Sequence, residues 1–414
     1  MIQPENESMS MDKISGSPAG DGSAAVDTTH MHMNGSTDVG AGMAGSRSRT
    51  LRRVLGVAAF AGIAVWILIH VAYVLRPTTF DNSRFVWPGL YAEQKDTLDV
   101  ITVGSSEIYR FIDTPCLYEQ TGITSYNLSC PMMLSEVFKY ALEESLNYQH
   151  PALYVIGVRT FIFEEEDEEY KSIGLHRMTD NMDFFSLVRW KMIFNLVDSW
   201  EDRIDYLFDI LTYHSDWDNL SWRHRRYFFN RYLRPMKAWT NILLVEEQDP
   251  EADFLGETED LPLTEANEQH LIDLLEYCQE QELNVLFVNT PWITTEEDRG
   301  LSQTAIRIIE SYGYPVLDLN TAEAKEEMGL DYATDFYNER HVNVWGAEKV
   351  TKLLGDYLTG NYDLPLEHSE AVIAEWAETT TVYDRKIANA QAKKVENAEE
   401  EEADTEDSTE DAEA

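Results

Sequence analysis

Two short segments, far apart in the chain, hold residues able to do chemistry together: "VGSSEIYR" (103–110) and "DFYNERHVNVWGAEKV" (335–350). A serine hydroxyl is a poor nucleophile until a base takes its proton, and imidazole is the usual base. Ser105 and Ser106 follow the apolar run "LDVIT" and Gly104, where a buried strand gives way to a turn. Either this is an ordinary strand-to-helix turn, or one serine is held up as a nucleophile. His341 follows the last apolar run and precedes Gly346 and an amphipathic pattern. Convergence of the two segments would make the chemistry nucleophilic attack by a serine hydroxyl.

The elements that must position them are legible as periodicity. "LDVITVG" (98–104), "ITSYNLS" (123–129), "ALYVIGV" (152–158), "NVLFVNT" (284–290) and "PVLDLN" (315–320) are apolar on both faces, as strands of a buried parallel sheet are. Helical patterns cover about 132–147, 264–282, 296–312 and 344–358. The alternation predicts an α/β fold: a doubly wound, flavodoxin-like parallel sheet in a three-layer sandwich. Functional groups of such sheets collect at the carboxyl ends of the strands, where "GSSE" and "ERHVN" both fall. Residues 161–261, rich in aromatics and charge, interrupt the pattern and read as a helical insertion, a cap or lid over that edge.

Composition bounds the rest. The chain has 414 residues, 43% of them hydrophobic, with 75 acidic against 32 basic residues and a net charge of −43. That balance excludes general nucleic-acid binding, which needs clustered Lys and Arg. Residues 1–46 are polar and small and read as a disordered cytoplasmic tail. Its "HMHMN" (30–34) is either a solvated stretch or a weak soft-metal site. Residues 47–77 form the membrane anchor: Val54 to Leu75 carries no formal charge over about 22 residues, enough to span a bilayer. Arg47, Arg49, Arg52 and Arg53 precede it and only Arg76 and Arg84 follow closely. The positive-inside bias therefore predicts a single-pass protein with a cytoplasmic N-terminus and an extracytoplasmic main domain, residues 78–387. Residues 388–414 are an acidic block without aromatics and are expected to stay unfolded. Disulfides are permitted outside the cytoplasm, so Cys116 and Cys130 either pair or stay free, while Cys278 reads as a packed helical residue.

The two quoted segments resemble the first and last motif blocks of the SGNH (GDSL-type) hydrolases, over roughly residues 96–160 and 264–358. "GSSE" after a membrane anchor is further similar to the D-alanine transfer proteins of lipoteichoic acid biosynthesis and to SGNH-like partners of membrane-bound O-acyltransferases. The resemblance implies that Ser106 is the nucleophile, that His341 is its base, and that the Ser106 N–H helps form the oxyanion hole. The chain departs from the pattern at three places. The acidic partner three residues before the histidine is Asn338, which can orient the ring without carrying charge; Asp335 is the alternative. Ser129 stands where the oxyanion glycine is usual, and Arg159 stands nearest the usual asparagine, placed to bind an oxyanion or acyl carboxylate or simply to pair with a carboxylate.

Other constellations are open to two readings. Asn289 and Trp292 in "FVNTPW" either line the pocket or belong to the core, and Glu107 either bonds the serine turn or merely starts a helix. "EEEDEE" (164–169) is either a solvated loop or a cation site, and Arg223, His224, Arg225, Arg226 and Arg231 form either a balanced helix face or an anion patch. No nucleotide-binding glycine motif, zinc spacing or other cofactor site is present. The expected function is an extracytoplasmic serine acyl esterase or acyltransferase acting on acetyl or D-alanyl esters of a cell-envelope glycan or teichoic-acid-like polymer. Its expected partner is a polytopic membrane O-acyltransferase. The alternative is a degenerate SGNH-fold binding or scaffold protein in such a complex.

Overall fold

The computed structural model describes residues 42–76, 81–163, 168–221, 224, 236–240 and 242–413. The chain divides into residues 1–62 and 63–414, and the described part of the first is one stretch of helix. That helix, α1 (Gly42–Leu75), contains an apolar run, Leu51–Leu75, with mean hydropathy 2.4. It is long and apolar enough to cross a membrane. Ala72, Tyr73 and Leu75, in its last turn, are buried. Two short helices follow, α2 (Asp81–Arg84) and α3 (Val86–Ala92).

Five strands form one parallel sheet: β1 (Val100–Gly104), β2 (Ser125–Ser129), β3 (Leu153–Gly157), β4 (Val285–Asn289) and β5 (Val316–Asp318). Their order is β2-β1-β3-β4-β5. Each lies inside an apolar run expected to be a strand. The two-sided hydrophobicity has a direct cause: alternate residues enter two separate cores. Val100, Val155 and Val288 pack with Leu117 of α5 (Thr114–Thr121) and Leu354 of α14 (Val344–Asn361). Ile101, Ile156 and Phe287 pack with Leu142 of α6 (Phe138–Ser145), Leu274 of α11 (Glu265–Glu280) and Ile309 of α12 (Glu296–Ser311). Burying each such side chain is worth about 1.5–3 kcal/mol, so neither face tolerates a charge. Local signals start the helices: Thr264 accepts from Asn267 N, and Thr295 and Asp298 form a reciprocal capping box.

β1 sits between β2 and β3, so the chain leaves it toward β2 and later returns past it to β3. Such a reversal opens a crevice at the strands' carboxyl ends. The insertion contributes α7 (Glu168–Thr179), α8 (Leu187–Leu196), α9 (Trp200–Leu207) and α10 (Ile210–Tyr213). After β5 come α13 (Ala322–Met328), a two-stranded hairpin of β6 (Phe336–Asn338) and β7 (His341–Val342), α14, and α15 (Glu370–Glu413).

Two expectations change, and the open alternative for the cysteines is settled. His341 sits on a strand of an antiparallel hairpin, not in an open loop. The acidic C-terminal block continues α15 as helix to Glu413; the helix docks earlier, where Trp376 stacks on Tyr118 with centroids 4.6 Å apart. Cys116 and Cys130 are both free and buried: Gln120 Nε2 donates to Cys116 Sγ at 3.0 Å, and Cys130 Sγ lies 3.3 Å from Met178 Sδ. The "HMHMN" stretch, Glu164–Asp167, and Arg223, Arg225, Arg226 and Arg231 lie outside the described residues. His224 is described and buried, its Nδ1 accepting from Ser221 N at 2.9 Å.

Candidate active site

The site starts with two strand ends that cannot carry a side chain. A Cβ on Gly104 would collide with Ile108, and one on Gly157 would lie 2.7 Å from Glu107 Oε1. The absent side chains make room for Glu107, which is 1% exposed and whose Oε1 accepts from Thr160 Oγ1 at 2.6 Å. Glu107 therefore bonds across to the segment after β3, a role that opening a helix would not require. Ser105 precedes the single turn α4 (Ser106–Tyr109), and the tight elbow presents Ser106 beyond the sheet edge.

The hairpin supplies the partner. Its register sets Asn338 directly opposite His341, and Asn343 caps α14 by accepting from Trp345 N at 3.0 Å and Gly346 N at 3.3 Å. The result joins residues 235 positions apart: Ser106 Oγ lies 2.7 Å from His341 Nε2, and His341 Nδ1 lies 3.0 Å from Asn338 Oδ1. Asn338 Oδ1 also accepts from Arg340 N at 3.0 Å, so this atom is an acceptor. The proton of the neutral imidazole therefore sits on Nδ1, leaving the Nε2 lone pair to accept from the Ser106 hydroxyl. Tyr337 stacks on the ring with centroids 5.4 Å apart and planes 8° from parallel, restraining its tilt.

Electrostatics keep that imidazole neutral. Burial pushes the His341 pKa down to about 2, with Arg159, Arg110 and Arg340 opposing a further positive charge. Asn338 offers no negative charge to offset them. Arg159, 2% exposed, donates from Nη1 to Arg340 O at 2.7 Å, and its guanidinium lies over Phe111 and Trp292 at 5.3 and 5.2 Å. Burial lowers its own pKa to about 10, against the pull of Glu107. Ser106, His341, Arg159 and Tyr337 line a cavity of about 340 Å³ whose other walls include Phe163 and Tyr170. That size lies within the ordinary range of small-ligand sites. Among the described residues of the insertion, Phe163 and, from α7, Tyr170 and Lys171 line the cavity.

The remaining expected residues separate. Asp335 is bonded elsewhere, its Oδ2 accepting from Lys349 Nζ at 2.6 Å and Asp331 N at 2.7 Å, so Asn338 alone orients the ring. Asn289 is fully buried and donates to Asp318 Oδ1 at 2.9 Å; it buttresses β5 and does not line the cavity. Ser129 pairs in register with Gly104, which sets its backbone beside the elbow, but its side chain is buried and outside the cavity wall. Trp292 belongs to the core and covers Arg159. Tyr337, Arg340, Thr160 and Gly157 were not anticipated; Gly157, a glycine closing a strand in "VIGVRT", was the readable signal. No group of His, Cys, Asp or Glu spaced to hold a metal occurs among the described residues. Compared with known proteins, the chain matches no family model and no characterised sequence.

Proposed function

We propose that this protein is a membrane-anchored serine acyl esterase or acyltransferase of SGNH type. The observation that carries the reading is the continuous hydrogen-bond path from Ser106 through His341 to Asn338. The strand order, with helices on both faces, supports a doubly wound flavodoxin-like sheet in which this path occupies the crevice beside the reversal. Attack of Ser106 Oγ on an ester carbonyl transfers the hydroxyl proton to His341 Nε2 and forms a tetrahedral oxyanion. On this reading the Ser106 N–H, the Ser129 N–H and the Arg159 guanidinium meet that charge. Collapse expels the alkoxide, which takes the proton from Nε2. Water or an acceptor hydroxyl then releases the acyl group by the reverse sequence. The expected substrates are acetyl or D-alanyl esters on an envelope glycan or teichoic-acid-like polymer. The expected partner is a polytopic O-acyltransferase, and the four arginines in the N-terminal part of α1 support a cytoplasmic N-terminus.

A second reading has its own observation. An imidazole held neutral by burial and cations, with an amide where a carboxylate is usual, is a weak base. A protein that keeps the fold to bind or scaffold fits that site too. A fluorophosphonate probe applied to the full-length protein in detergent separates the two. Labelling that disappears in Ser106→Ala supports the acyl-enzyme reading; an unlabelled wild-type chain leaves the scaffold.

A further inference from the structure

A second cleft, of about 360 Å³, opens where the C-terminal end of α1 meets the insertion. Trp66, Ile69 and Tyr73 of α1 form one wall, and Tyr91, Phe184 and Phe185 stand on the other. Arg76 Nε donates to Asp209 Oδ2 at 2.6 Å, tying the end of α1 to the turn between α9 and α10. The apolar run of 25 residues is about 37 Å long, against a hydrocarbon core of about 30 Å. With α1 read as a membrane span, its last turn leaves the bilayer, as the burial of Ala72, Tyr73 and Leu75 agrees. Trp66 and Ile69 then stand at the headgroup border, and the opposite wall of the cleft stands at the same depth.

The apolar surface does not end at the cleft. Phe184 is 6.2 Å from Phe208 and 6.3 Å from Trp190, which continues through Phe194 to Trp200 at 6.5 and 6.1 Å. Outside α1, eight of the thirteen exposed large hydrophobic residues among those described fall between 185 and 220, with Leu187 85% exposed and Phe185 73%. Apolar patches of this kind mark contact surfaces, and aromatic side chains settle at membrane interfaces. Glu201, Asp202 and Asp218 are exposed on the same stretch, so attraction to anionic headgroups is not what holds it.

We propose that the cleft and its aromatic rim form a bilayer-docking surface, with a lipid acyl chain in the cleft and the rim in the headgroup layer. The domain is then held by two contacts, α1 and the insertion, and has a fixed orientation on the membrane. Continuity with α1 favours lipid as the occupant over a protein partner. The inference rests on α1 being a span and is independent of the chemistry at Ser106.

The three native cysteines are buried, so nitroxide labels can be placed singly on the full-length chain in phosphatidylcholine vesicles. Phe185→Cys and Leu187→Cys report the surface, Phe60→Cys reports α1, and Asp356→Cys, exposed on α14, reports water. The expected result is a ratio of oxygen to nickel-chelate collisions at 185 and 187 well above that at 356, approaching that at 60, and unchanged by added salt. Ratios at 185 and 187 equal to that at 356, with 60 still in lipid, would overturn the docking surface and leave the patch to a protein partner. A water-like ratio at 60 would remove the span and the docking surface together.

Discussion

At the residue scale the site combines a complete proton path with a reluctant base. The proposed acyl transfer needs the neutral form of His341, and burial with three nearby arginines, which pushes its pKa down to about 2, keeps that form present in mild acid. The rate of fluorophosphonate labelling at Ser106 is therefore expected to stay level from about pH 8 down to about pH 4, where an ordinary histidine loses activity near its pKa of about 6.5. Asn338→Asp places a carboxylate on Nδ1, which favours the imidazolium and raises the pKa. It should bring an acid limb into the measurable range, seen as a rate falling with decreasing pH. A level profile in Asn338→Asp would show that Asn338 does not govern the ring. His341→Gln should cost about 10²–10⁴ in labelling rate.

At the element scale the elbow depends on strand ends as much as on the serine. A Cβ at Gly157 meets the Glu107 carboxylate, which is anchored by Thr160 and has little room to withdraw. Gly157→Ala is expected to cost about 1–3 kcal/mol, read as a lower denaturant midpoint, and to slow labelling because the displaced Glu107 moves Ser106. Unchanged stability and labelling would mean the elbow is not strained by that atom. The five strands and the helices after them were legible because long runs must satisfy two cores. The hairpin was not: β6 and β7 span three and two residues around Glu339 and Arg340, too short for a periodic signal. Its Phe336 and Val342 share a core with Met328 of α13 and Val350 of α14, and Asn343 pins it by donating to Thr334 O at 2.7 Å.

For the whole molecule the dominant quantity is charge. A net −43 makes the folded chain repel itself, and salt shortens the range of that repulsion from about 30 Å at 0.01 M to about 3 Å at 1 M. The thermal midpoint of the full-length protein is therefore expected to rise with sodium chloride; scanning fluorimetry showing no rise would place the charges too far apart to matter. Arg159, Arg340 and Lys171 line the Ser106 cavity together with Glu107 and Glu136, so its lining is close to charge balance in a strongly acidic chain.

By itself the sequence determined the apolar helix, the alternation of strands and helices and the two segments with chemical potential, because each is written in local composition or in a period of two or 3.6. Only the tertiary structure decided that Ser106 and His341 share a proton path, that Asn338 rather than Asp335 holds the ring, and that Asn289 faces β5. The first turns on ångström-scale register between segments 235 residues apart and the other two on which of several nearby side chains reaches its partner, and no local pattern encodes either.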